Sequence, residues 1–128
     1  MAVRVMIVDD AAFLRHVAKK QLRREGFEIA AEAGSGEEAV AEYATVRPHV
    51  VLLDMTLPGM GSLATLEALR GVDPKAKVVA VAGAGRHASL AEAVKAGALQ
   101  YTRKPYRAER IRAAIDRALG RPSPRTAT

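Results

Sequence analysis

The feature that most constrains this chain is an alternation of short apolar runs with stretches whose apolar residues recur at helical spacing. Residues 3–8 are an apolar run of strand length, interrupted by Arg4. Leu14, Val17, Ala18 and Leu22 follow at helical spacing, and Gly26 stops them. Residues 27–33 read as a second strand. Ser35 with Glu38 three residues on makes a capping box for a helix to about Val46, and Pro48 forbids its continuation. Residues 49–53 are nearly continuous Val and Leu, the pattern of a strand covered on both faces. A loop with Pro58, Gly59 and Gly61 leads to a helix from Ser62 carrying Leu63, Leu66 and Leu69, and Asp73-Pro74 makes a turn. Residues 77–82 are a fourth strand, 88–96 a fourth helix stopped by Gly97, and 99–103 a fifth strand. In the last helix Ile111, Ala114, Ile115, Ala118 and Leu119 share one stripe, and Gly120 ends it.

Strands alternating with helices in this way predict a parallel α/β sheet with helices on both faces, joined by right-handed crossovers. The 128 residues suffice for one compact domain, 1–120, and the ending 121–128 has the composition of a flexible tail or linker. With only 4% aromatics, the core must be mostly aliphatic. No apolar run reaches the ~18 residues of a membrane helix. The start meets acid too early for a secretory signal. With no cysteine, disulfides and thiolate metal sites are excluded. A soluble, cytoplasmic protein with no membrane partner is the expectation.

Sheets of this kind bind ligands beyond the carboxyl ends of their strands. Asp9 and Asp10 end the first strand, Asp54 ends the third, and Lys104-Pro105 follows the fifth. A lone strand-end Asp is ordinarily a solvated or capping acid. Clustered carboxylates on the one edge reserved for ligands repel one another instead, and a hard divalent cation relieves that repulsion. Mg²⁺ suits such oxygen ligands, held by one or two carboxylates plus phosphate oxygens.

The segments MIVDD (6–10), VVLLDMTLPGMG (50–61) and AGALQYTRKPY (96–106) resemble the receiver domain of bacterial two-component response regulators, the CheY-like family. Residue count and element order agree from Val3 to Leu119. The resemblance implies a doubly wound, flavodoxin-like (βα)5 fold with strand order 2-1-3-4-5. It also implies that Asp54 is the phosphoacceptor, a carboxylate nucleophile forming an acyl phosphate. Asp10, Asp54 and the Thr56 backbone carbonyl would then bind Mg²⁺ directly, with Asp9 acting mainly through water. The metal and Lys104 would neutralise the transferring phosphoryl oxygens, so catalysis is mostly positioning and electrostatics. In this family the Lys104–Pro105 bond would be cis. The implied donor is a histidine kinase, a phosphotransfer protein or a small acyl phosphate. The implied output is a downstream protein target or a C-terminal output domain. Such a chain is a signalling domain rather than an enzyme, and catalyses only its own phosphorylation and dephosphorylation.

Three departures from the family pattern stand out. Ala82 occupies the end of the fourth strand, where Thr or Ser usually bonds the phosphoryl group, although Tyr101 matches the switch aromatic. The loop at 59–62 reads Gly-Met-Gly-Ser where the family commonly has Asp then Gly at the last two positions. Ala84 is smaller than what the family often places there. The expectation is a switch with intact capture of phosphate and atypical transmission.

Other readings compete. Gly34-x-Gly36-x-x-Ala39 and Gly83-x-Gly85-x-x-Ala88 match a dinucleotide fingerprint. Glu37 and Glu38 would set two negative charges where pyrophosphate must sit. A Mg²⁺-dependent phosphatase-type enzyme using Asp54 would want a second acid two residues on, where Thr56 stands. His16, His49 and His87 have no ligand spacing and read as surface or capping groups. The net charge of +6 resides in residues 103–128, with a second basic run of Arg15, Lys19, Lys20, Arg23 and Arg24. Direct DNA binding is the weaker reading of these segments, because no stacking aromatics or binding motif accompany them. If the first and last helices lie side by side, the basic segments merge and suit an acidic protein surface, such as a kinase's phosphotransfer domain.

Overall fold

The computed structural model describes residues 2–83 and 87–122. Ten elements alternate: β1 (Arg4–Val8), α1 (Ala12–Arg24), β2 (Glu28–Ala33), α2 (Gly36–Val46), β3 (Val50–Asp54), α3 (Ser62–Val72), β4 (Val78–Ala82), α4 (His87–Lys95), β5 (Gln100–Arg103) and α5 (Ala108–Ala118). All four strand pairings are parallel, and the order is β2-β1-β3-β4-β5, as the resemblance implied. Ala84 and Gly85 lie outside the described residues, as does 123–128, most of the expected tail.

Strand periodicity sorts the core into two layers. Met6, Val8, Val51, Leu53, Val78 and Ala80 face α2, α3 and α4, where they meet Ala39, Tyr43, Leu66, Leu69 and Ala93. Val5, Ile7, Val50, Leu52, Val79 and Val81 point the other way, onto Ala18 and Leu22 of α1 and the Ile111–Ala114–Ile115–Ala118 stripe of α5. Every residue of β3 and β4 is buried, which explains why both are apolar throughout except for Asp54 at the end of β3. Among the described residues, no helix is long and apolar enough to cross a membrane.

Local chemistry sets the element ends. The Glu38 N–H donates to the Ser35 Oγ, as the capping box requires. The returning arm differs from expectation: the Glu38 carboxylate accepts from the Gly34 N–H, one residue before the cap. Arg47 ends α2 in the left-handed region, φ 46°, ahead of Pro48. His49 falls outside β3 because its imidazole Nδ1 accepts from the Arg4 N–H while its own N–H donates to the Arg4 carbonyl.

The glycine fingerprint at Gly34–Gly36 has a packing explanation. Gly36 is buried where α2 meets α3, and a Cβ there would overlap Thr65 Oγ1 and lie 2.9 Å from Met60. That glycine permits the close approach of two helices.

Candidate functional site: an acid cluster at the strand ends

The carboxyl ends of β1 and β3 bring three predicted acids together. Asp9, Asp10 and Asp54 each offer a carboxylate oxygen within 4.8 Å of the others. Asp9 and Asp54 are fully buried, and Asp10 is exposed.

Asp9 is held from all sides. Its Oδ1 accepts from the Ala11 N–H at 2.9 Å, which turns the chain into α1. Its Oδ2 accepts from the Tyr106 hydroxyl at 2.9 Å and meets Lys104 Nζ at 3.0 Å. Arg15 donates to the Asp9 carbonyl at 2.7 Å.

Asp54 is half satisfied. Its Oδ1 accepts from the Thr56 N–H at 3.1 Å and the Thr56 hydroxyl at 2.9 Å, with Lys104 Nζ at 3.4 Å. Its Oδ2, among the described residues, is a buried side-chain oxygen with no hydrogen-bond partner. Burial pushes the Asp54 carboxyl above its ordinary range, the Thr56 bonds and Lys104 pull it back in part, and the Asp9 charge adds to the rise. An unpartnered anionic oxygen beside two further carboxylates is an unfavourable arrangement by itself. A hard cation resolves it, and the all-oxygen donor set fits Mg²⁺.

Lys104 reaches this cluster because its own N–H donates to the Ala82 carbonyl at 2.8 Å, tying it to the end of β4. The Lys104–Pro105 bond is cis, as expected. Ala82 is fully buried at the end of β4, and Tyr101 sits apart on β5, 49% exposed. The described structure therefore gathers the acids, Thr56, Lys104 and Ala82 at one edge and leaves Tyr101 on the flank.

The sequence pattern assigned no role to Tyr106 or the Ser62 side chain, and placed Arg15 only in a basic run, not against the Asp9 carbonyl. Ser62 is buried; its hydroxyl donates to the Asp54 carbonyl at 2.7 Å and accepts from the Leu57 N–H at 3.0 Å, fixing the loop after the acid. Tyr106 is buried in the α1–α5 layer, and burial with the nearby carboxylates drives its phenol far above its usual range, so it stays a donor. A phenol directly after the Lys-Pro pair was the one signal that could have pointed to it.

The helices α1 and α5 do lie side by side, joined by the Ala108 N–H to Gln21 and by Arg112 to the Glu25 carbonyl. Part of the basic charge is consumed internally. Arg15 and Lys19 both pair with Glu32, while Arg112 and Arg121 pair with the buried Asp116. That leaves less charge for a phosphate backbone than the sequence suggested. His16 is exposed.

A five-stranded (βα)5 sheet in the order β2-β1-β3-β4-β5, with an acid cluster and a lysine at its switch-point edge, defines the doubly wound, flavodoxin-like class with its ligand site in the usual place. The chain belongs to the response regulator receiver domain family, whose profile matches residues 5–116. It is 38% identical over 117 residues to the chemotaxis protein CheY of Thermotoga maritima, covering 91% of this chain and 98% of that protein. The chemotaxis protein CheY of Bacillus subtilis is 37% identical over 119 residues, covering 93% and 99%. Among solved structures, NtrX from Brucella abortus superposes with a TM-score of 0.86 at 30% identity, covering 94% of this chain and 27% of that one. CheY in a CheX–CheY–BeF3–Mg complex from Borrelia burgdorferi gives 0.81 at 28% identity, covering 92% and 87%.

Proposed function

We propose that this receiver domain accepts a phosphoryl group on Asp54 in a Mg²⁺-dependent reaction and switches the binding of a partner. The observation that carries the reading is Asp54 Oδ2, buried and unpartnered among the described residues, within an acid cluster where Lys104 is shared by Asp9 and Asp54. In the transfer, an Asp54 carboxylate oxygen forms a bond to phosphorus. The bond from phosphorus to a histidine nitrogen or an acyl oxygen of the donor breaks, and its electron pair leaves with the donor. Bound Mg²⁺ would supply charge neutralisation at the phosphoryl oxygens. Asp10, Asp54 and the Thr56 carbonyl would hold it, and Asp9, both of whose oxygens are already engaged, would act through water. Lys104, 3.4 Å from Asp54, would contribute a second positive charge to the phosphoryl oxygens.

The donor is a histidine kinase or a phosphotransfer protein, and the recipient of the signal is a protein target or an output domain beyond residues 1–120. The module acts only on its own phosphorylation state and works in the cytoplasm. Ala82 makes its switch atypical. A buried methyl group at the end of β4 has no hydroxyl to draw onto a phosphoryl oxygen, so Tyr101 receives a weaker command to turn inward.

The test is incubation with acetyl phosphate and Mg²⁺, followed by hydroxylamine. The account expects a phosphoprotein whose label hydroxylamine releases, as an acyl phosphate requires, and whose formation Asp10→Asn slows. A label that resists hydroxylamine defeats the proposal.

A further inference from the structure

Tyr106 crosses the sheet end to reach Asp9, 97 residues away in sequence, and its hydroxyl lands on the same carboxylate oxygen that Lys104 approaches. Its ring is anchored in the α1–α5 core layer, 3% exposed, so the hydroxyl is held rigidly. A carboxylate oxygen offers two lone-pair sites. Oδ2 of Asp9 has the phenol at 2.9 Å and the ammonium at 3.0 Å. Lys104 Nζ lies 3.0 Å from Asp9 and 3.4 Å from Asp54, so it is shared but leans toward Asp9. Any further concentration of charge on Asp9 would draw it away from Asp54.

We propose that the Tyr106 hydroxyl is a positioning group: by spreading the charge of Asp9 it keeps Lys104 shared with Asp54, where the phosphoryl group arrives. This deepens, and rests on, the assignment of Asp54 as phosphoacceptor. The residue touches neither donor nor metal and acts through Asp9 and Lys104. Asp9 is in turn kept from rotating, because the Ala11 N–H and the Tyr106 hydroxyl each hold one of its two oxygens. The phenol thereby preserves a division of labour in which Asp10 and Asp54 would hold the cation and Asp9 sets the lysine.

The test is Tyr106→Phe, which keeps the ring and removes only the oxygen. At saturating Mg²⁺, phosphorylation by acetyl phosphate should slow about tenfold, the worth of roughly one hydrogen bond to a charged group. Mg²⁺ affinity, measured by titration, should stay within about threefold, because no direct ligand is lost. In an Asp9→Asn background the same change should cost less than about twofold, since the acceptor charge that it regulates is gone. A crystal structure of metal-free Tyr106→Phe should show Lys104 on Asp9 alone, its contact with Asp54 lost. An unchanged rate, equal losses in both backgrounds, or a lysine still shared between the two acids overturns the proposal. If the wild type takes no phosphoryl group, the phosphoacceptor reading falls, and the crystal structure still decides the role of Tyr106.

Discussion

Replacing the central acid should stabilise this protein, provided no divalent cation is present. Asp54 is fully buried, its Oδ2 has no partner, and Asp9 lies beside it with one lysine between them. A buried polar group without a partner costs about 1–3 kcal/mol, more when charged. In Asp54→Asn the amide oxygen still accepts from the Thr56 N–H, the NH₂ turns toward the remaining carboxylates, and the buried charge that a shared Lys104 only partly balances disappears. The variant should therefore gain about 1–3 kcal/mol in EDTA at neutral pH, or roughly 3–10 °C in melting temperature for a domain of this size. The pH dependence has a fixed sign. Because burial raises the Asp54 carboxyl in the folded state, the folded protein holds a proton that the unfolded chain has released. Wild-type stability then falls as pH rises from the ordinary carboxylate range through the raised value. The advantage of Asp54→Asn is largest at neutral pH and shrinks in acid. Mg²⁺ works in the opposite direction, stabilising the wild type by about 2.7 kcal/mol at a hundredfold excess over its dissociation constant, and the variant far less. Thermal melts followed by circular dichroism, with EDTA or Mg²⁺, read both effects. A variant no more stable than wild type in EDTA, or equal stabilisation of both by Mg²⁺, refutes the reasoning.

Three further perturbations probe other links. Ala82→Thr supplies the absent hydroxyl, so beryllofluoride should shift the Tyr101 resonances by NMR in the variant far more completely than in wild type, by about tenfold in population ratio. A full shift in wild type with nothing added by Thr refutes the atypical switch. Gly36→Ala drives a methyl group into Thr65 Oγ1 and Met60 and should lower stability in urea by about 1–3 kcal/mol; an unchanged midpoint means that α2 and α3 do not need the glycine. Tyr43 donates to Asp73 at 2.7 Å, and burial, then that carboxylate, push its phenol from 10.0 up to about 12. Its contribution is present below the lower value and lost as pH rises through the upper one, so Tyr43→Phe should flatten the alkaline loss of stability across that window.

The residues that were legible in sequence are those whose role follows from position within an element. Val50–Asp54 and Val78–Ala82 announced themselves because both faces of each strand are covered and their only polar residue, Asp54, stands at the very end of the first. Asp9, Asp10, Asp54 and Lys104 could be singled out because a parallel sheet reserves one edge for ligands. The strand order was not in the pattern and came with the family resemblance. What escaped were contacts between distant segments. Nothing periodic links Tyr106 to Asp9, and nothing in the Ser62 side chain's role as a clamp on the Asp54 loop distinguishes it from a helix-opening serine. The basic run on α1 was visible as charge, but Glu32, which takes up Arg15 and Lys19, lies on the neighbouring strand β2. Gly36 shows the same ambiguity in another form. A glycine that admits a phosphate and one that admits a second helix satisfy the same backbone requirement, and only the packing tells them apart.

The central claim is that Asp54 carries the phosphoryl group and that a divalent cation is needed to place it there. Intact-mass measurement after incubation with acetyl phosphate tests it most directly. The account predicts a gain of about 80 Da, one phosphoryl group, with Mg²⁺ present. It predicts no gain with EDTA, and none in Asp54→Asn under either condition. An Asp54→Asn protein that gains the same mass would contradict it.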